Sequence, residues 1–168
     1  MKKALSLVLA VYLLASLFVG FGGTGAFAEE DRDLVILYTS DIHCGIDQGW
    51  GFAGLYAIKE NLSKKYDVLL VDDGDAIQGE PIGTMTKGEA IIDIMNVLGY
   101  DVAIPGNHEF DYSVERFLEL TKRANFPYIS CNFNKEGELI FEPWLIKEIG
   151  GRKIAFVGVT TPDTLRSS

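Results

Sequence analysis

Leu34-Val35-Ile36-Leu37-Tyr38-Thr39-Ser40-Asp41-Ile42-His43 runs apolar for five residues and then turns abruptly polar. A short apolar run of this length fits a buried strand, and the polar residues after it fit a turn at the strand's carboxyl end. The same switch recurs twice. Val68-Leu69-Leu70-Val71 passes into Asp72-Asp73-Gly74-Asp75, and Val102-Ala103-Ile104 passes into Pro105-Gly106-Asn107-His108-Glu109. Between these runs lie amphipathic segments. Gly51–Lys65 carries Phe52, Leu55, Ile58 and Leu62 on one face; Gly88–Leu98 carries Ile91, Ile94, Met95 and Leu98 and is ended by Gly99. Ser113–Ala124 carries Val114, Phe117, Leu118 and Thr121. Apolar stripes at helical spacing are core-facing surfaces, so these are packing faces and not cofactor boxes. Strand–helix–strand repetition predicts an α/β fold with a mainly parallel sheet and helices against it. Beyond it come an apolar run at Tyr128–Cys131, a turn at Lys135–Glu138, and strands at Leu145–Glu148 and Lys153–Val159 around Gly150-Gly151.

In an open α/β sheet, sites form beyond the carboxyl ends of the strands. Asp41 and Asp75 are 34 residues apart and Asp75 and Asn107 are 32 apart, each about one strand–helix–strand unit. Parallel strands therefore bring Asp41, His43, Asp75, Asn107 and His108 to one edge. Both histidines of the chain lie in these turns. Converging carboxylates and imidazoles are costly to bury without a cation. Their oxygen and nitrogen donors suit manganese, zinc, cobalt or iron. Asp41 and His43 are two apart, so an extended loop can aim both at one ion. A carboxylate such as Asp75 can bridge two ions about 3.5–4 Å apart, and Asn107 offers a neutral amide oxygen. His108 and Asp111 are three apart, close enough to meet if a helix starts there. A carboxylate that fixes an imidazole's tautomer is a recurring device. The other reading of Asp111 is an N-cap for the Ser113–Ala124 helix, and the two are compatible.

The rest of the chain sets the context. Lys2 and Lys3 precede an apolar stretch from Ala4 to Phe21, which loosens through glycines into Ala26-Phe27-Ala28. These are the regions of a secretory signal peptide, so residues 1–28 are expected to be removed on export to a periplasmic or extracellular destination. An uncleaved membrane anchor is the alternative. No second spanning segment follows, so no stable membrane span is expected after cleavage. Cleavage leaves about 140 residues, suited to one domain or part of a larger one. It also removes two lysines, which takes the formal charge from −9 to −11. So acidic a chain repels a nucleic-acid polymer, which excludes that partner. The two cysteines are too few for a disulfide framework. Cys131, in an apolar run, is expected in the core; Cys44, next to His43, is expected to be a loop residue rather than a ligand.

The motifs resemble a known family. Asp41-Ile42-His43, Gly74-Asp75 and Gly106-Asn107-His108-Glu109 are similar to the first three blocks of the calcineurin-like metallophosphoesterases. The longer strings Ile36–His43, Gly74–Gly79, Lys87–Ala90 and Gly106–Asp111, with Gly158–Pro162, resemble its secreted 5′-nucleotidase, UDP-sugar hydrolase and 2′,3′-cyclic phosphodiesterase branch. The resemblance covers residues 33–162. It implies an αββα sandwich, of which residues 29–168 would form the N-terminal part. It implies two divalent ions, with Asp41, His43 and Asp75 holding one and Asp75 and Asn107 the other. It implies that His108 stabilises the phosphoryl transition state or leaving group, that Asp111 orients His108, and that a nucleotide or other phosphate ester is the substrate. Glu109 matches the block and receives no chemistry of its own.

The family's further His and amide ligands and its C-terminal nucleotide-recognition domain have no counterpart in this sequence. Four ligand residues fall short of what two ions require. The expectation is therefore a fragment with weak metal binding, little turnover by itself, and an uncovered apolar sheet face. Two alternatives stand beside it: a non-catalytic exported remnant that binds metal or a partner, and a related two-metal hydrolase acting on a non-nucleotide ester.

Overall fold

A computed structural model describes residues 32–162, so the expected signal segment lies outside the described residues. The order of elements is β1 (Leu34–Thr39), α1 (Gly51–Leu62), β2 (Asp67–Asp72), α2 (Pro81–Thr86), α3 (Glu89–Leu98), β3 (Val102–Ala103), a single 3₁₀ turn at His108–Phe110, α4 (Val114–Arg123), and four further strands. These are β4 (Asn134–Lys135), β5 (Glu138–Leu139), β6 (Trp144–Ile149) and β7 (Arg152–Val157).

The sheet has the expected parallel sense. β1 pairs with β2 from Leu34↔Asp67 to Thr39↔Asp72, and β2 pairs with β3 at Val71↔Val102 and Asp72↔Ala103. Parallel bridges at Ala103↔Tyr128 and Ile129↔Glu142 carry the pairing on from β3. β6 and β7 form an antiparallel hairpin around Gly150 and Gly151, whose φ values of 53° and 71° make the tight reversal that those glycines predict.

Three local differences have physical causes. Helix α2 is not expected from apolar periodicity because it is only six residues long; Pro81 opens it, where a missing N–H costs nothing. The following helix starts at Glu89, with Gly88 as its left-handed cap at φ 82° rather than its first residue. Helix α1 ends at Leu62, three residues before the expected limit. Cys131 corrects the sequence reading: it is exposed and free. Tyr128, Ile129 and Ser130 are buried in succession, and the chain comes to the surface at Cys131.

One side of the sheet meets the helices. Leu70 from β2, Ile91, Ile92 and Met95 from α3, and Phe117 and Leu120 from α4 are essentially inaccessible and form the core. Phe117 stacks edge-on against Phe110 at 5.2 Å and Tyr128 at 5.0 Å, a favoured aromatic geometry. Elsewhere Tyr38 is 74% exposed, Trp144 55% and Val157 65%. Tyr38, Val71, Phe156 and Val157 border an open cleft of about 280 Å³. That matches the expectation of an uncovered apolar surface.

Candidate active site

The β1–β2 pairing does not stop where the strands do. Asp73 donates to the Thr39 carbonyl (2.7 Å), Asp41 to Gly74 (3.0 Å), His43 to Asp75 (2.9 Å) and Cys44 to Ala76 (3.0 Å). These backbone bonds zip the first polar turn to the second. The zipper needs unusual backbone angles: Asp41, His43, Cys44 and Asp75 have φ of 54°, 47°, 61° and 59°. Left-handed conformations at non-glycine residues are unfavourable and concentrate at functional sites. The third turn closes on the second through Gly74, at φ 96°. A Cβ there would lie 2.5 Å from the Gly106 nitrogen. A Cβ on Gly106 would run into the Asp75 carboxylate. Only glycines allow the two turns to lie this close.

The result is a cluster of ligating atoms. One atom each of His43, Asp75 and His108 lies within 4.8 Å of the others, and the two imidazoles meet edge-on at 4.9 Å between centroids. His43 Nδ1 lies 3.1 Å from the Gln78 carbonyl oxygen. A carbonyl only accepts, so Nδ1 carries the proton and the Nε2 lone pair is left for a cation, as in many metal-binding histidines. His108 Nδ1 lies 2.8 Å from Asp111 Oδ2. That hydrogen bond is the main cause raising the His108 pKa above its ordinary value, and burial works against it. The 3₁₀ turn accounts for the pair, since residues three apart eclipse on such a turn. The N-cap of α4 is Ser113, whose hydroxyl accepts from the Arg116 N–H at 3.2 Å. Asp111 is therefore free to serve His108.

The other sequence candidates are placed differently. Asp41 is exposed and its carboxylate takes the hydroxyl of the adjacent Ser40. It is not among the three clustered residues, but it borders, with His43, Gln48, Gly79 and Glu80, a hollow of about 340 Å³ beside them. Asn107 opens the 3₁₀ turn, half-buried, and its side chain caps nothing. Cys44 is buried, with its thiol 3.5 Å from the Ala76 carbonyl. Burial pushes its pKa up to about 11, so it stays a neutral thiol and a packing residue.

Sequence reasoning missed Glu109. It is fully buried and its carboxylate accepts backbone N–H bonds from Asp75 (2.8 Å), Ala76 (2.8 Å) and Gly106 (2.7 Å), with a longer one from Ile77 (3.4 Å). Burial pushes its pKa up while the backbone donors pull it down. Its signal in the sequence is its place in the Gly106–Glu109 block, directly after His108.

Two members of the cluster suit a divalent cation as a joint donor set: the His43 imidazole, with its tautomer already set, and the Asp75 carboxylate. Beside it stands an imidazole backed by a carboxylate, able to hold a proton at Nε2. Such an arrangement suits the electrostatic stabilisation of an oxyanion and proton delivery to a leaving group.

The chain is similar to known proteins. Residues 34–164 match the family model described as calcineurin-like phosphoesterase. The chain is 34% identical over 181 residues to the snake venom 5′-nucleotidase of Gloydius brevicauda, covering 95% of this chain and 29% of that protein. It is 32% identical to human 5′-nucleotidase, covering 89% of this chain and 30% of the relative. Among solved structures, the 5′-nucleotidase precursor of Thermus thermophilus superposes with a TM-score of 0.70 at 27% identity, over 77% of this chain and 29% of that one. The chain thus spans under a third of the length of these relatives. The protein belongs to the calcineurin-like phosphoesterases.

Proposed function

We propose that this protein contributes to the hydrolysis of nucleotide phosphate esters in an exported compartment, with Asp41, His43, Asp75 and Asn107 as ligands to two divalent ions. The observation that carries the reading is the cluster of His43, Asp75 and His108, with the lone pair of His43 Nε2 left open by the bond to Gln78. Bound ions of this kind supply a nucleophilic water and polarise phosphoryl oxygens. The chain's own residues do the rest. Asp75 and Asn107 sit on adjoining turns, Gly74 and Gly106 keep those turns in contact, and the N–H of His108 donates to Asp75 Oδ1 at 2.8 Å. His108, held by Asp111, faces the same cluster and carries a proton for the leaving oxygen. Little covalent work falls to such a protein, so positioning and charge stabilisation dominate.

Relatives named as 5′-nucleotidases support a nucleotide substrate. The expected export signal agrees with a snake venom relative, and no helix among the described residues is long and apolar enough to cross a membrane. The test is hydrolysis of AMP, UDP-glucose and a 2′,3′-cyclic nucleotide by the full protein, with manganese, zinc, cobalt or iron supplied in turn. Metal-dependent release of phosphate that is lost in His43→Ala and Asp75→Asn is the expected result. No hydrolysis of any of the three with any metal overturns the reading. Residues 29–168 alone are expected to turn over little, because four ligands are too few for two ions.

A further inference from the structure

A buried carboxylate with no cationic partner is expensive, and a neutral side chain of the same volume would fill the space at lower cost. Glu109 is such a group among the described residues: it is fully buried and its carboxylate is met by backbone N–H groups. Those donors come from two different turns. Oε2 takes Asp75 N–H and Gly106 N–H, and Oε1 takes Ala76 N–H with Ile77 N–H at longer range. The Asp75 carboxylate returns the contact by accepting the N–H of His108, the residue directly before Glu109. The turns after β2 and β3 are therefore clasped in both directions. The clasp also grips Asp75 where its backbone is left-handed, at φ 59°, a conformation that persists only when its surroundings impose it.

We propose that Glu109 is a positioning residue for the metal centre, holding the Asp75 turn and the Asn107–His108 turn at one fixed separation. It touches neither ion nor substrate; it acts through the backbone of Asp75 and Gly106. The proposal rests on the metal reading above.

The test uses Glu109→Gln, which keeps the shape but sets an amide NH₂ against N–H donors on one side. Amide hydrogen exchange is followed in metal-free protein, and Mn²⁺ binding is titrated by the electron-spin signal of the free ion. The wild type is expected to protect the amides of Asp75, Ala76 and Gly106. The variant is expected to lose that protection while α3 and α4 exchange as before. Its Mn²⁺ dissociation constant is expected to rise about tenfold or more, at a temperature where its circular dichroism matches the wild type. A lower melting temperature with unchanged Mn²⁺ affinity marks a merely structural residue and overturns the proposal. Fast exchange of the three amides in the wild type overturns it too, and that measurement decides the matter if the variant does not fold. A wild type that binds no Mn²⁺ retires the metal reading, and the exchange data still judge the clasp.

Discussion

Replacing Gly74 with alanine tests the closeness of the two turns. A Cβ at Gly74 would stand 2.5 Å from the Gly106 nitrogen and 2.8 Å from its Cα. Ordinary non-bonded contacts need roughly 3.5 Å or more, so the turns must part by about 1 Å. Gly137 supplies the control. Its φ of 90° is close to the 96° of Gly74, yet a Cβ there meets nothing within 4 Å. Gly137→Ala therefore isolates the backbone cost, about 1–2 kcal/mol. Gly74→Ala carries the same cost plus about 1–3 kcal/mol for overpacking against backbone that has no rotamer to yield. For a domain of this size each kcal/mol shifts the melting temperature by about 3–5 °C. The control should then melt roughly 3–10 °C lower than the parent, and Gly74→Ala roughly 6–25 °C lower. The functional consequence is separate from stability. Moving Gly106 carries Asn107 and His108 away from Asp75, and a displacement of about 1 Å at a reacting site can cost about 100-fold in rate. Thermal unfolding of both variants, with Mn²⁺ titration of the folded proteins, measures both effects. If Gly74→Ala melts no lower than Gly137→Ala and binds Mn²⁺ as the parent does, the close approach is not what holds the site together.

Asp111→Asn should bring the His108 pKa down towards its ordinary value, because the hydrogen bond to Asp111 is the main cause raising it; a histidine proton titration of metal-free protein reads this directly. The sign for stability follows: a raised histidine pKa contributes stability below the unfolded value and loses it as pH rises through the folded value, so the variant should lose that pH dependence. Asp72→Asn should remove a pH dependence of the same sign at lower pH. Burial raises the Asp72 pKa well above its usual range, so the parent loses stability as pH climbs from about 4 towards that raised value. Denaturant unfolding across this range should give a flatter profile for the variant, and an unchanged slope contradicts the assignment. Phe117→Ala removes the ring packed against Phe110, Tyr128 and Phe141 and should cost about 3–5 kcal/mol; a loss under about 1 kcal/mol in chemical unfolding would show that the core closes over the gap.

Much of the site was legible from local pattern. His43, Asp75 and Asn107 follow apolar runs one strand–helix–strand unit apart, and parallel pairing carries such residues to a common edge. His108 and Asp111 were legible from spacing, although the turn that joins them is 3₁₀. Cys131 was misjudged because an apolar run does not say at which residue it leaves the core: Tyr128, Ile129 and Ser130 are buried and Cys131 is exposed. The six-residue helix at Pro81 was too short for periodicity to mark it.

The sequence by itself determined that Asp and His donors stand at successive strand ends, since strand period and connection length are local properties of the chain. Only the tertiary structure decided how the donors are aimed. His43 draws its tautomer from a carbonyl 35 residues away. Glu109 finds its partners across two turns, at separations of up to 34 residues. Asp41 turns to Ser40 and stands outside the tight cluster. These choices depend on which backbone groups lack partners once the sheet has formed, and that accounting exists only in the folded chain.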